Sequence, residues 1–226
     1  PRSTLSSSSA ASDVYKRQYL CRSNELTRQN DDPNRASRPF DTRHDGMVLS
    51  EGACFVVVES AERAAKRGAT VLAEVLVSGA SCDAQGLFQT EPSCRTAADT
   101  LQKVMLVAGL SPADIDYVCA HANSSPAFDR KEVLVLKRAF GEFAAKIPVS
   151  SIKGVLGHPF GASGAFQTAA AALAMQHSLI PPTHNLEEPD PDCDLDLVMG
   201  EPRPATIRHA LITSYGYGGV NAYLLL

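Results

Sequence analysis

A lysine and a histidine lie in a glycine-rich segment where an apolar stretch gives way to a small-residue helix. The segment reads VSSIKGVLGH over 149–158 and continues PFGASGA to residue 165. The junction between a strand and a helix is a favoured location for chemistry in α/β folds, and its glycines let other backbone or a ligand come close. Lys153 and His158 could there supply a fixed cation and an imidazole. On its own, the motif is a weak indication of an active site.

A second histidine and a second glycine-rich turn strengthen this indication. His121 follows the apolar run 115–120, which is typical of a strand, and the turn YGYGG spans 215–219 between two strand-like runs. A single histidine after a strand is more often structural than catalytic. Two histidines and a lysine at strand ends, beside such a turn, support a catalytic and a structural role about equally.

The elements around these residues alternate between strand and helix patterns, which predicts a layered α/β sheet with helices on its faces. Apolar runs at 54–58 and 71–81 indicate strands, the first of them buried. Helical spacing and capping residues predict helices at 59–67, 96–109, 126–140 and 161–175. The runs 210–214 and 220–226 flank the glycine turn and predict a β-hairpin.

Composition excludes several classes of protein. The chain has 226 residues, 44% of them hydrophobic, which is enough for a sizeable core. Its net charge of -4 does not indicate binding to nucleic acid or to an anionic membrane. Its longest apolar stretch, 161–175, is too short to cross a bilayer. The six cysteines show neither a C-x-x-C pair nor a metal-like cluster. They are typical of reduced, mostly buried thiols in a cytosolic protein, and we expect no metal site.

The first 18 residues lack apolar periodicity and are rich in serine, so we expect them to be disordered. A serine-rich start with few acids also fits a transit peptide. However, SSAASDVYKRQ at 8–18 resembles, residue for residue, the translation of a transposon-library sequencing adapter. We therefore expect 1–18 to be an adapter artefact and the gene's own sequence to begin near Tyr19.

Residues 19–226 resemble the C-terminal portion of a β-ketoacyl-acyl carrier protein synthase of the elongating kind. The matching motifs, in the family's order, are NDDPNRASRPFDTRHDGMVLSEGA (30–53), DIDYVCAH (114–121), PAFDRKE (126–132), VSSIKGVLGHPFGASGA (149–165), IPPTHNLEEPDPDCDLD (180–196) and SYGYGGVNA (214–222). The resemblance implies the thiolase-like fold, with layered α-β-α-β-α architecture. In that fold 71–226 would form the C-terminal half, and 19–70 would be the tail end of the N-terminal half.

The family's chemistry is a decarboxylative Claisen condensation in fatty-acid or polyketide biosynthesis. A cysteine takes the acyl chain from acyl carrier protein as a thioester, malonyl-carrier protein loses carbon dioxide, and the resulting carbanion attacks that thioester. The resemblance thus implies acyl carrier protein as partner, with phosphopantetheine delivered on it and no cofactor bound by the protein itself. It also implies a cytoplasmic enzyme that forms a homodimer, or a heterodimer with a related subunit.

The resemblance also implies roles for charged and imidazole side chains. His121 and His158 match the family's two histidines, which would donate hydrogen bonds from neutral imidazoles to the malonyl thioester oxygen. Lys153 matches the family lysine, and an ion pair between Lys153 and Glu132 is expected. Asp129 and Glu132 match the acidic pair of the following helix, although a helix N-terminus by itself also favours acidic residues.

Polar and glycine residues complete the implied site. Tyr217, with Gly218 and Gly219, matches the gating turn and part of an oxyanion hole. Asn123 and Ser125 stand where the family usually has threonines that contact the phosphopantetheine arm.

Three departures from the family suggest a divergent synthase of a specialised pathway. The usual HGTST is HANSS at 121–125. Phenylalanines of the gating turn are Tyr215 and Tyr217, each with a hydroxyl that needs a partner. Gln167 replaces a common glutamate and removes a charge near the site.

No cysteine here matches the family nucleophile, which lies at a strand-to-helix elbow well before the stretch that matches 30–33. Cys21 is too close to that stretch, and Cys54 and Cys119 align with non-catalytic positions. We therefore expect the N-terminal half to be absent from this chain, and the chain alone to be inactive and marginally stable. The alternative is a non-catalytic partner subunit like the chain-length factors. Thiolase chemistry is disfavoured because 214–222 contains no cysteine.

Overall fold

The computed structural model describes residues 17–86 and 90–226. Most of the segment expected to be disordered, 1–18, lies outside the described residues. Its last two residues, Arg17 and Gln18, are helical, and the described helical stretch continues to residue 22.

The central sheet has six strands, in the order β1-β8-β7-β2-β3-β5. The strands in the described residues are β1 (Val77–Cys82), β2 (Tyr117–Cys119), β3 (Pro148–Ser150), β4 (Leu179–Ile180), β5 (Asp196–Leu197), β6 (Arg203–Pro204), β7 (Ala210–Gly216) and β8 (Val220–Leu225). Strands β7, β2, β3 and β5 run parallel to one another, while β8 is antiparallel to both β1 and β7. Strands β4 and β6 pair separately. The hairpin predicted across the glycine turn is confirmed as β7–β8.

Beyond the helical stretch at 17–22, the α-helices of the described residues are α1 (Ala61–Lys66), α2 (Arg95–Val107), α3 (Pro126–Phe140), α4 (Lys153–Leu156) and α5 (Ser163–His177). Their ends follow local chemistry. The Ser60 hydroxyl caps α1 by accepting the Arg63 N–H. Pro126 occupies the first turn of α3, where no amide donor is needed. Gly68 and Gly109 follow α1 and α2 with φ of +64° and +70°.

Side chains alternate across the sheet and separate two cores. Val118 of β2 and Leu211 of β7 face the core that contains α2 and α3. Their neighbours Tyr117, Cys119 and Ile212 face the other core, which contains α5. The alternation follows from the two-residue period of a strand, and it produces a helix–sheet–helix sandwich.

The apolar run at 54–58 was predicted to be a buried strand, but it is not a strand and it is not buried. The structure assigns no strand there, and the Phe55 side chain is 93% exposed. The predicted strand 71–81 begins later, at Val77, and 71–76 remains outside the sheet. Strand β1 lies at one edge of the sheet, and the run 54–58 does not pair with it. Among the described residues, the backbone groups of 54–58 make no hydrogen bond to other backbone.

The prediction of mostly buried cysteines holds for half of them. Cys94, Cys119 and Cys193 are buried, whereas Cys21 and Cys82 are exposed; all six cysteines are free. In the described ranges, no helix is long and apolar enough to cross a membrane.

Candidate active site

The candidate residues meet at one edge of the sheet. Strands β2, β3 and β7 are parallel neighbours, so their carboxyl ends lie side by side. Strand β2 is followed by His121, β3 by Lys153 and then His158, and β7 ends in the turn that carries Tyr217. Three parts of the chain that are far apart in sequence thereby build one site.

The His121 imidazole is buried with its tautomer fixed by the backbone. Its side chain lies 1% exposed, and its Nδ1 accepts a hydrogen bond from the Tyr215 N–H at 3.2 Å. A neutral ring that accepts at Nδ1 carries its proton on Nε2. That Nε2 is buried and has no hydrogen-bond partner among the described residues, so it is a donor available to a ligand.

His158 stands beside His121 and is also neutral. The two ring centroids are 5.4 Å apart and the planes meet at 84°. Burial lowers the pKa of His158 to about 3, and Lys153 adds to the effect. Burial and then Lys153 also hold the pKa of His121 well below its ordinary value. The Nδ1 of His158 lies 3.1 Å from the Ser163 hydroxyl, which leaves Nε2 for other partners.

The prediction of an ion pair between Lys153 and Glu132 is wrong. Instead, the two side chains hold opposite ends of one residue. Glu132 Oε2 accepts the His121 N–H at 2.7 Å, while the Lys153 ammonium donates to the His121 carbonyl. Glu132 is also occupied by the hydroxyls of Thr213 and Tyr215, so its oxygens already have donors.

Glu132 and Lys153 are both fully buried, and burial shifts each pKa in the direction that favours the neutral form of the group. The pKa of Glu132 is raised to about 7, although hydrogen bonds and Lys153 counteract the desolvation. The pKa of Lys153 is lowered to about 8. Their role is to fix the peptide on both sides of His121.

Asp129 organises the loop after His121. Its Oδ1 accepts the amides of Asn123 and Ser124, at 2.9 and 3.2 Å, and its Oδ2 accepts the amide of Phe40 at 2.8 Å. The Nδ1 of His44 lies 2.8 Å from the same Oδ2. Asp129 is therefore more than a helix N-terminal acid, since it ties the loop 121–125 to a second loop. His44 carried no role in the sequence analysis.

Asn123 and Ser125 also lie in this loop. The Asn123 side-chain oxygen accepts the Ser125 amide at 3.1 Å, which leaves its Nδ2 buried and without a partner in the part of the chain that the structure describes. The Ser125 hydroxyl donates to Glu25 at 3.2 Å. Glu25 is a residue that the sequence analysis missed, because a single glutamate in a polar segment carries no pattern.

Tyr217 joins the site through aromatic contacts. Its ring meets Phe128 at a centroid distance of 5.7 Å, and Phe128 meets His121 at 5.4 Å. Gly218 and Gly219 follow in left-handed conformations, with φ of +82° and +75°, which glycine adopts without a steric penalty. The structure thus brings all the predicted residues to the same edge of the sheet.

Gln167 is buried behind the site and donates through Nε2 to the carbonyls of Cys119, Ala120 and Thr213, at 3.0 to 3.1 Å. A carboxylate has no proton to donate, so in this chain the amide supplies hydrogen bonds that an ionised glutamate would not. In the described ranges, no group of three or more His, Cys, Asp or Glu residues could hold a metal ion.

The family follows from sequence comparison. The profile of the β-ketoacyl synthase C-terminal domain matches residues 72–187. The 3-oxoacyl-[acyl-carrier-protein] synthase 2 of Coxiella burnetii is 43% identical over 201 residues, which are 89% of this chain and 49% of that protein. The chain belongs to the β-ketoacyl synthase family.

Polyketide ketosynthases are similar to the chain as well. The actinorhodin polyketide putative β-ketoacyl synthase 1 of Streptomyces coelicolor is 41% identical over 200 residues, 88% of this chain and 43% of that protein. Among solved structures, the AntDE:AntF complex of a type II polyketide acyl-carrier protein with its ketosynthase gives a TM-score of 0.88 at 30% identity, covering 92% of this chain and 51% of that one. The ishigamide ketosynthase/chain length factor gives 0.84 at 35% identity, covering 92% and 49%.

These matches confirm the family and the thiolase-like fold class expected from the motifs. The β-ketoacyl synthase chain spans about half the length of the curated relatives it matches.

Proposed function

We propose that the whole protein is a β-ketoacyl-acyl carrier protein synthase, which condenses malonyl-acyl carrier protein with an enzyme-bound acyl thioester in fatty-acid or polyketide biosynthesis. The observation that carries the proposal is the buried, unpartnered Nε2 donor of His121 beside a second neutral imidazole, His158. Loss of carbon dioxide from a malonyl thioester moves negative charge onto the thioester oxygen. Two fixed donors at that oxygen would stabilise the charge as it develops.

In this proposal the neighbouring residues position the two donors. Lys153 and Glu132 fix the backbone of His121, and the Tyr215 N–H fixes its tautomer. The low pKa of both imidazoles supports the role, since a neutral ring donates a hydrogen bond without transferring a proton prematurely.

Other residues would receive the substrate arm. Asn123 and Ser125 would contact the phosphopantetheine, and the Asn123 Nδ2 is a buried donor suited to a carbonyl of the arm. Tyr217, Gly218 and Gly219 would form the gating turn and part of the oxyanion hole. The carrier-protein partner, the dimeric state and the cytoplasmic location expected from the resemblance belong to the same proposal, as does the division at residue 70.

The acyl-accepting cysteine is a separate part of the proposal. Burial raises the pKa of Cys119 to about 11 and that of Cys193 to about 12, which keeps these thiols protonated, whereas the thiolate is the nucleophile. We propose that the nucleophile lies outside this sequence, and that the chain alone does not carry out the acyl-transfer step.

A second candidate is a non-catalytic partner subunit. The similarity to a ketosynthase/chain length factor structure supports this second candidate. The presence of His121, His158 and Lys153 in one buried cluster favours a catalytic subunit instead.

The test is to recover the reading frame upstream of residue 19, express the complete protein, and assay it with labelled malonyl-acyl carrier protein. A cysteine at a strand-to-helix elbow and release of a β-ketoacyl product support the proposal. A complete protein that carries the cysteine but neither decarboxylates nor condenses would reject it. A different residue at the elbow, with condensation only in the presence of a related subunit, would establish the second candidate.

A further inference from the structure

The imidazole of His44 lies between two carboxyl groups that come from different segments of the chain. Its Nδ1 is 2.8 Å from Asp129 Oδ2, its Nε2 is 3.5 Å from Asp190 Oδ2, and its side chain is 7% exposed. A neutral imidazole carries a proton on one ring nitrogen, whereas the imidazolium carries a proton on each. Only the charged ring therefore presents an N–H to both carboxyl groups.

Asp129 connects this imidazole to the candidate site. Its Oδ2 faces His44 and also accepts the Phe40 amide at 2.8 Å, while its Oδ1 accepts the amides of Asn123 and Ser124 at 2.9 and 3.2 Å. The two oxygens belong to one planar group, so a contact that directs Oδ2 also places Oδ1. Three backbone amides and one ring thus orient the carboxylate beneath the loop that carries Asn123.

Asp190 is held against the other side of the ring by backbone contacts. Its N–H donates to the Phe40 carbonyl at 2.8 Å, and the Thr42 N–H donates to the Glu188 carbonyl at 2.8 Å. These two hydrogen bonds attach the segment of Asp190 to the segment that carries His44. The second carboxyl group is therefore presented to the ring from a fixed support.

The acid nearest to His44 on its own segment has other partners. Asp41 lies three residues before His44, and its Oδ1 is paired with Arg38 at 3.3 Å and with Arg43 at 3.1 Å. Two guanidinium groups therefore balance the charge of Asp41 before the imidazole does.

A cavity of about 250 Å³ opens beside the ring of His44. Arg130 and Asp192, which line it, form an ion pair with each other. The Cys193 thiol also lines the cavity, and burial raises the pKa of this thiol to about 12, so it carries no charge at neutral pH. The carboxyl groups at 2.8 and 3.5 Å are therefore the charges that remain for His44 to balance, and the cavity lets its ring exchange protons with solvent.

The surroundings of His44 favour its charged form. Burial by itself lowers the pKa of His44, because it disfavours the charged ring. The hydrogen bond to Asp129 and the charges of Asp129, Asp190 and Asp41 outweigh burial, so the pKa is raised above its ordinary value of 6.5. The ring therefore contributes its full stabilisation below pH 6.5, and this contribution is lost as the pH rises through the raised folded pKa.

We infer that His44 is a positioning residue: its protonated ring links two carboxyl groups and thereby holds the loop 121–125 in place. Loss of the ring proton leaves an N–H for one carboxyl group only, so the loop is then held less firmly. The Asn123 Nδ2, buried and without a partner in the described ranges, takes its direction from this backbone. The inference deepens the proposed function and rests on it only for the use of Asn123 and Ser125 as contacts of the substrate arm.

The test uses the whole chain without substrate and has two measurements. The first is an NMR titration of the His44 ring, which gives its midpoint. The second is hydrogen exchange of the Asn123 and Ser124 amides, expressed as protection relative to an unstructured peptide at each pH. We expect a midpoint above 6.5. Protection should fall by about fivefold over the same pH range, which corresponds to the loss of one net hydrogen bond.

Two replacements of the histidine separate its charge from its bulk. His44→Gln keeps an uncharged donor for one carboxyl group, so at every pH its protection should equal that of the wild type at high pH. His44→Ala removes a hydrogen bond to a charged group and should lower protection about tenfold or more. His177→Gln is the control, because His177 is exposed at the end of α5; it should keep the wild-type step in protection.

Asp190→Asn tests the second carboxyl group. It should lower the midpoint of His44 and move the step in protection to lower pH by the same amount, because the ring loses one of its two charged partners. Asp194→Asn is the matched control, because Asp194 is exposed on the same segment and pairs with Lys137. It should leave the midpoint and the step unchanged.

A His44 midpoint at or below 6.5 would overturn the inference. Wild-type protection in His44→Ala would overturn it too, and so would equal midpoint shifts in Asp190→Asn and Asp194→Asn. If His44→Ala does not fold, His44→Gln decides the matter, because a retained pH step in that variant would reject the role of the charge.

Neither measurement needs catalysis, so this inference and the proposed function can fail separately. An inactive complete protein with the expected His44 titration and step in protection would reject the proposed function and leave His44 its role. An active complete protein in which His44→Ala keeps wild-type protection would do the reverse.

Discussion

The imidazoles of His121 and His158 stand edge to face, with ring centroids 5.4 Å apart. They come from different strands, since His121 follows β2 and His158 follows β3. The two strands pair through Val118–Val149 and Cys119–Ser150. The parallel register brings the two strand ends side by side, and hydrogen bonds to Val48 and Ser50 fix the backbone of His158. A pair of neutral donors at this separation can converge on one ligand oxygen.

Replacing either histidine should remove most of the decarboxylation activity of the complete protein. We expect His121→Ala and His158→Ala to lower the rate on malonyl-acyl carrier protein by about 10²–10³-fold, which is typical for loss of one preorganised donor. Release of labelled carbon dioxide measures the rate. His177→Ala is the control, because His177 is exposed at the end of α5. Wild-type decarboxylation in His158→Ala would contradict the role.

The stability of the chain should respond to pH through His158. Its folded pKa is about 3, against an ordinary value of 6.5. Between these values the unfolded chain binds a proton that the folded chain does not, so the free energy of unfolding falls as the pH drops and is restored above 6.5. Glu132 acts in the opposite sense between 4.5 and about 7, because its folded pKa is raised and its proton is bound more tightly in the folded chain.

His158→Gln should isolate the histidine contribution. Urea unfolding between about pH 5 and 7 should show a slope that differs from wild type by up to about 1.4 kcal/mol per pH unit. His177→Gln, at an exposed position, should keep the wild-type slope. Equal slopes in wild type and His158→Gln would contradict the prediction.

Gln167→Glu should destabilise the fold strongly at neutral pH. The change places a carboxylate against the carbonyls of Cys119, Ala120 and Thr213, and loss of buried donors costs about 1–3 kcal/mol or more when a charge is left. The loss should shrink in acid, where a protonated glutamic acid can again donate. Urea unfolding measures it. Gln176→Glu, exposed on the same helix, should change stability little, and equal losses at both positions would argue against the contacts.

Lys131→Met should reduce stability by about 3–5 kcal/mol, because removing one partner of a buried ion pair leaves an uncompensated charge. The charge left behind is that of Asp83, whose side chain is fully buried. The double variant Lys131→Met, Asp83→Asn removes both charges and should recover part of the loss. The exposed Lys103 supplies the control, Lys103→Met. A double variant less stable than Lys131→Met would contradict the explanation.

Local patterns in the sequence predicted the elements well. Pro126 and the apolar spacing after it gave α3 with its observed bounds, and the glycine turn gave the β7–β8 hairpin. Such features depend on neighbouring residues alone. The run 54–58 was misjudged because a strand depends on a partner strand, which a hydrophobic run does not specify.

The site shows the same division between local and long-range information. Family motifs supplied residues such as His121 and Lys153, but not their contacts. The expected Lys153–Glu132 pair failed because Glu132 receives donors from three separate segments, those of His121, Thr213 and Tyr215. From the sequence, Gln167 was interpreted as the loss of a charge, whereas in the structure its amide donates to three carbonyls. Glu25 showed no pattern at all. Only the fold brings these groups together.

The exposed run 54–58 bears on the fate of the chain inside a cell. Phe55, Val57 and Val58 are each more than three-quarters exposed in a stretch without secondary structure, the kind of segment that chaperones bind and that unpaired strands of other molecules can join. A neighbouring strand that paired with this run would cover its side chains and satisfy its backbone groups at the same time. Protection of 54–58 from proteolysis would therefore report whether such a partner strand is bound.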